Sequence, residues 1–208
     1  HAFRAPGYLR HLDTNQKTDS GNEGNLSVGL VLIVYAALLA IAALWSWLRG
    51  DRPVLSLYAS EAGPELLAAG AGLAIGILVV VINRLAVRHF LWARRLEQEF
   101  VRLLGALSTS QIITVSIASS VAEEAFFRGA MQPSLGLLPT ALIFGLLHFG
   151  PGRTYVPWTI MATGMGLILG VTFEMSGSLA APVLCHLSIN FLNLRRIAAR
   201  AATRDVIQ

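Results

Sequence analysis

Six long apolar runs follow one another with short polar breaks, over residues 26–48, 65–83, 108–127, 137–149, 155–175 and 179–194. A helix needs roughly 20 such residues to cross the hydrocarbon core of a bilayer. Inside that core every backbone N–H and C=O must be bonded within the chain, which leaves helices or closed barrels. None of the runs shows the two-residue alternation of a barrel strand, so helices are expected. Only 13% of the 208 residues are charged, about half the share usual in a soluble domain. The expected fold class is all-α, a polytopic membrane helical bundle of about six transmembrane helices.

Between the second and third runs the pattern changes. Over residues 84–102 arginines and glutamates interleave with Leu85, Val87, Phe90, Leu91, Trp92, Leu96, Phe100 and Val101. This is an amphipathic basic segment, expected to lie as a helix at the membrane surface. Residues 1–25 are polar and read as a flexible tail or engineered remnant, leaving residues 26–208 as one membrane-embedded domain with its core in about 108–194. Gly72 and Gly76 carry the GxxxG spacing that permits close helix approach, and Gly164, Gly166 and Gly170 are expected to do the same.

Six crossings put both termini on one side. Lys17 and arginines 4, 10, 84, 88, 94, 95, 102, 153, 195, 196, 200 and 204 then share that side, against Arg49, Arg52 and Arg128 on the other. By the positive-inside rule the termini are cytoplasmic. The net charge of +4 belongs to these flanks, so the partner it implies is the lipid bilayer and not nucleic acid. A single cysteine, Cys185, rules out an intrachain disulfide and a multi-cysteine metal site.

Some ionisable residues nevertheless fall within the apolar runs: Glu123, Glu124 and Arg128 in or next to the third, His148 in the fourth, and His186, with the amide of Asn190, in the sixth. Burying a charged side chain at mid-membrane costs about 2.5–3.5 kcal/mol even on the lenient insertion scale, so such residues mark functional sites by default. Glu124 and Arg128, Phe144 and His148, and His186 and Asn190 are each four apart, which sets each pair on one helix face. Glu123 and Glu124, being adjacent, point about 100° apart and must do different work. A carboxylate and an imidazole can hold and deprotonate a water. A second imidazole and an amide can donate to a developing oxyanion. Bland readings stand beside these: a structural ion pair of Glu124 with Arg128, an interfacial helix cap at His148, interhelical hydrogen bonds at His186 and Asn190.

Glu123-Glu124-Ala-Phe-Phe-Arg128 fits EExxxR, Phe144-Gly-Leu-Leu-His148 fits FxxxH, and His186-Leu-Ser-Ile-Asn190 fits HxxxN. In this order on successive apolar runs, the chain resembles the CPBP intramembrane proteases, a family of CAAX prenyl endopeptidases and of bacterial Abi-type, bacteriocin-processing or immunity proteins. The resemblance covers about residues 108–194. It implies a glutamate-type endopeptidase in which Glu123 and His148 activate water, His186 and Asn190 form the oxyanion hole, and Glu124, Arg128 and Phe144 brace them. It also implies a membrane-anchored or tail-anchored protein substrate and a bacterial inner-membrane location. No cofactor is expected, with zinc held by Glu123, Glu124, His148 and His186 as the competing possibility. Two non-enzymatic readings fit the same polar helices: an immunity or binding factor without proteolysis, and a transporter. HExxH, GxGD and GxSG, the signatures of other intramembrane proteases, are absent from the sequence.

Overall fold

The computed structural model describes residues 27–51 and 62–205. The expected N-terminal tail lies outside the described residues, which are helical throughout apart from short turns. Helix α1 spans Val28–Leu48, α2 Ala62–His89, α3 Leu91–Leu104, α4 Thr109–Glu124, α5 Gln132–Leu135, α6 Leu137–Leu147, α7 Val156–Ser176 and α8 Ala180–Asp205. A π-helical stretch, Ala125–Met131, joins α4 to α5, so Thr109–Leu135 is one rod.

Local chemistry sets the boundaries. Ser27 caps α1, its Oγ accepting from the Leu30 N–H. Ser108 and Gln111 form a reciprocal capping box at the start of α4, the Gln111 N–H donating to Ser108 Oγ at 3.2 Å and the Ser108 N–H to Gln111 Oε1 at 2.8 Å, which satisfies two of the orphan donors of a helix start. Gly136, at φ +82°, reverses the chain between α5 and α6. Ser176 and Ser178 form the turn into α8, where the Ala180 N–H donates to Ser178 Oγ.

The six apolar runs correspond to α1, α2, the α4–α5 rod, α6, α7 and α8, but they are not six equivalent spans. Among the described residues three helices are long and apolar enough to cross a membrane alone, Val28–Leu48, Pro64–His89 and Arg153–Ser176. A fourth qualifies only if Leu91–Leu104 and Thr109–Leu135, bent by 109°, count as one broken span. Helix α6, at 11 residues, reaches only about 16 Å at 1.5 Å per residue. Helix α8 mixes His186, Ser188, Asn190 and Asn193 into its apolar part and ends in arginines. Helix α8 is largely covered by its neighbours, whereas α6 keeps Leu138, Leu142, Leu146 and Leu147 exposed.

The surface segment also divides differently from expectation. Helix α2 continues past Arg84 and Arg88 to His89, extended Phe90 breaks the chain, and α3 is a separate amphipathic helix. Its Ala93 and Leu96 are buried, and buried Glu97 ion-pairs with Arg196 at 2.5 Å and with Arg200, which ties α3 to α8.

Packing depends on small residues. A Cβ on Gly72 would stand 2.1 Å from the Ala181 carbonyl oxygen, and one on Gly76 1.9 Å from Ser188 Oγ and 2.6 Å from the Cys185 oxygen. The GxxxG pair thus lets α2 lie directly on α8, and Cys185 is a wholly buried packing residue. Gly166 and Gly170 bring α7 against Ala141 and against Leu137 and Gln132, but a Cβ on Gly164 would meet nothing within 4 Å. That glycine takes no part in the close approach expected of it. Gly76→Val should therefore push backbone against backbone and lower stability by about 1–3 kcal/mol, whereas Gly164→Ala should leave the melting temperature in detergent unchanged or slightly higher. Thermal unfolding of the two purified variants beside the wild type checks both.

Candidate active site

Arg128 and Glu124 are wholly buried, each with no solvent exposure. They lie one turn apart on the rod, with Arg128 Nε 3.2 Å from Glu124 Oε2. Arg128 Nη2 donates to the Gly166 carbonyl on α7 at 3.0 Å, and the guanidinium lies over the Phe144 ring of α6 at 4.7 Å. The other oxygen, Glu124 Oε1, is 2.7 Å from His186 Nδ1 on α8. One carboxylate and one guanidinium therefore join the rod to α6, α7 and α8. The expectation that Arg128 marks the polar end of a span is corrected by this geometry. It sits inside the protein with its partners, the rod continues to Leu135, and Arg128 leaves the count of surface cations.

This continuation brings Glu123 and His148 together, although run limits at residues 127 and 149 set them near opposite faces. Glu123 lies thirteen residues before Gly136 and His148 twelve after it. At 1.5 Å per residue the two arms of this hairpin are each about 18–20 Å long, so their far ends meet at one depth. His148 Nε2 is 3.7 Å from Glu123 Oε2, and His186 Nε2 is 4.0 Å from the same oxygen.

These separations are too long for direct hydrogen bonds. Glu123 Oε2 is buried and has no hydrogen-bond partner, while two ring nitrogens face it. His148 Nδ1 lies 2.7 Å from the Phe144 carbonyl oxygen. A carbonyl only accepts, so Nδ1 carries the proton and the lone pair of a neutral ring is at Nε2. His148 is thus the C-terminal cap of α6 and also presents Nε2 inward. The Phe144 ring stacks beneath His148, with ring centroids 4.4 Å apart. Phe144 therefore touches both the inner guanidinium and the outer imidazole.

Asn190 lies one turn beyond His186 and donates through Nδ2 to Ser119 Oγ on α4 at 2.9 Å. Glu123, His148, His186, Asn190 and Ser119 line one cavity of about 610 Å³, whose other walls are mostly apolar, with Tyr35, Asn83, Glu97, Asn193 and Arg196 also among the lining residues. Two lining residues that hydrogen-bond to motif residues are not among those the motifs single out. Ser119 is one of four serines in α4 and carries no motif. Tyr35 lies on α1, far from every motif, and its hydroxyl donates to Glu123 Oε1 at 3.1 Å. A hydroxyl on the inward face of an otherwise apolar helix is the signal that could have found it. Glu174, whose place near the end of its run suggests an interfacial residue, accepts from Gln132 Nε2 at 3.0 Å, at the far end of α7. Glu123, His148 and His186 are donors of the kind zinc accepts. Among the described residues no group of three or more His, Cys, Asp and Glu side chains has the arrangement of a metal site.

Residues 105–192 match the family model described as Type II CAAX prenyl endopeptidase Rce1-like. Over that segment the chain is similar to this family. The match contains every motif residue of the site, and α1 with Tyr35 lies outside it. Its long apolar helices mark the chain as a membrane protein, and the matched segment is similar to an endopeptidase family. It is also similar to the "Uncharacterized protein YpbD" of Bacillus subtilis (strain 168), with 28% identity over 179 residues, covering 84% of this chain and 89% of the relative. No solved structure matches it.

Removing one member of a buried ion pair leaves the other charge uncompensated and costs about 3–5 kcal/mol. Arg128→Met should therefore destabilise the protein on that scale and lower its yield from membranes. A thermal-unfolding midpoint in detergent equal to that of the wild type would contradict the role given to this pair.

Proposed function

We propose that this protein is a glutamate-type intramembrane endopeptidase that hydrolyses a peptide bond near the C-terminus of a membrane-associated protein. The observation that carries the reading is the convergence of Glu123 Oε2 with His148 Nε2 and His186 Nε2, at 3.7 and 4.0 Å, inside a largely apolar cavity. A water held there finds two acceptors, Glu123 Oε2 and His148 Nε2. Its protons point at them and its lone pair at an incoming carbonyl carbon. Glu123 takes a proton as the C–O bond forms and returns it to the leaving amine as the C–N bond breaks. No metal takes part in this sequence of steps.

The oxyanion falls to His186 and Asn190. Asn190 spends one Nδ2 hydrogen on Ser119 and keeps the second. Donation from His186 Nε2 requires a proton on both ring nitrogens, with Nδ1–H held by Glu124. Two glutamates, Arg128 and a doubly protonated His186 then sum to zero charge, the cheapest state for a buried cluster. Donors already aimed at a developing charge cost no reorganisation during the reaction.

Arg196 and Arg200 of α8 pair with Glu97 of α3, the helix that also carries Arg94, Arg95 and Arg102, and Arg49 lies at the C-terminal end of α1. This supports cytoplasmic termini. The Bacillus subtilis relative supports a bacterial cytoplasmic membrane as the location.

The test uses cells lacking the native protein, complemented with wild type or with Glu123→Gln, and mass spectrometry of the C-terminal tails of exported proteins. Truncated tails with wild type and intact tails with the variant are expected. A loss of at least about a hundredfold is anticipated when a general base is removed. Identical peptide maps, with the variant present and folded, would overturn the protease reading in favour of a non-proteolytic membrane factor.

A further inference from the structure

Helix α1 turns one face inward, built from Val31, Tyr35, Leu38, Ala42 and Trp45 at alternating spacings of four and three. Its C-terminal end is fixed on the rod by polar contacts. Arg49 Nη1 donates to the Ala130 carbonyl at 2.7 Å, Trp45 Nε1 donates to Ser134 Oγ at 3.1 Å, and the Trp45 ring packs edge-on against Phe126. An anchor at Trp45 and Arg49 sets the depth and rotation of the helix about three to four turns away. At that distance the inward face presents Tyr35, whose hydroxyl donates to Glu123 Oε1.

A glutamate side chain can turn its carboxylate, and its two oxygens are otherwise equivalent. In this site they are not. Oε1 accepts from Tyr35, whereas Oε2 is buried, unpartnered and faces both imidazole Nε2 atoms. We propose that Tyr35 is a positioning residue for the hydrolysis, holding Glu123 by Oε1 so that Oε2 stays directed at the water it shares with His148. The inference rests on the protease reading above, and it gives α1 a part in the chemistry from outside the Rce1-like segment. A phenol suits this task. Its ring fills the wall between Val31 and Leu38, and its single hydrogen can satisfy only one carboxylate oxygen.

Without the hydroxyl the carboxylate samples orientations in which neither oxygen faces the water, so turnover falls while the cavity that receives substrate is unchanged. A hydrogen bond to a charged group corresponds to about tenfold or somewhat more in rate. Cells lacking the native protein are complemented with wild type, Tyr35→Phe or Glu123→Gln at matched membrane levels, and tail truncation is followed over time after a pulse of labelled amino acids. Tyr35→Phe should truncate the same tails at the same bond about tenfold more slowly. Raising the expression of a truncated substrate should not restore the rate, because the defect is in kcat and not in KM. A rate equal to that of wild type, or one restored by excess substrate, would overturn the role of Tyr35, the second result making it only part of the binding wall. Truncation by Glu123→Gln would instead overturn the underlying reading. If Tyr35→Phe fails to accumulate, fluorinated tyrosines placed at position 35 keep the ring and the donor. The rate should then change with the acidity of the phenol, and a flat series would overturn the proposal.

Discussion

The buried pair of Glu124 and Arg128 is the constraint on which the remaining arrangement depends. A guanidinium inside a membrane protein must find compensation for its lost hydration, and here it does so from three helices at once: Glu124 on its own rod, the Gly166 carbonyl on α7 and the Phe144 ring on α6. Glu124 extends the network to α8 through His186. Charge-assisted bonds of this kind are directional, so the pair fixes where each helix stands around the rod as well as that it stands there. Glu123, the next residue, is turned by about 100° and so out of the network and into the cavity. The adjacency of the two glutamates is what couples a structural anchor to a carboxylate that faces the cavity.

Three further features set the depth of the site. Gly136 folds the rod and α6 into a hairpin with nearly equal arms below the turn, which carries His148 down to Glu123. Close contacts at Gly72, Gly76, Gly166 and Gly170 allow α2, α7 and α8 to shut around the cavity. The α3 helix, tied to α8 through Glu97, covers it from the basic side of the molecule. Polar α8 would be a poor membrane span alone, and it is accommodated because neighbouring helices cover it, while short α6 turns Leu138, Leu142, Leu146 and Leu147 outward.

Much of this is legible in the sequence, for physical reasons. The helices follow from long apolar runs, and the divergence of Glu123 from Glu124 follows from the helical repeat. The assembly of the motif residues follows from the cost of isolated polar groups in a membrane. What is not legible depends on partners far away along the chain. Arg128 looks like the end of a span until Gly166 and Phe144 are seen around it. The common depth of Glu123 and His148 is hidden for the same reason, since it requires the rod to continue for another two turns. Ser119 and Tyr35 carry no pattern, and only the packing of α4 against α8 and α1 gives them partners. Gly164 shows the reverse error, a glycine in a glycine-rich helix that faces open space.

The central claim is that Glu123 and His148 hold a water beside His186, and not a metal. The most direct measurement is a crystal or cryo-EM structure of the active wild-type protein in lipid or detergent, resolved well enough to show ordered water, with elemental analysis of the same preparation. The account predicts a water within hydrogen-bond reach of Glu123 Oε2 and His148 Nε2, Glu123 Oε1 still bonded to Tyr35, and no stoichiometric metal. Stoichiometric metal coordinated by these three side chains, or a Glu123 carboxylate turned away from both imidazoles in the active protein, would contradict it.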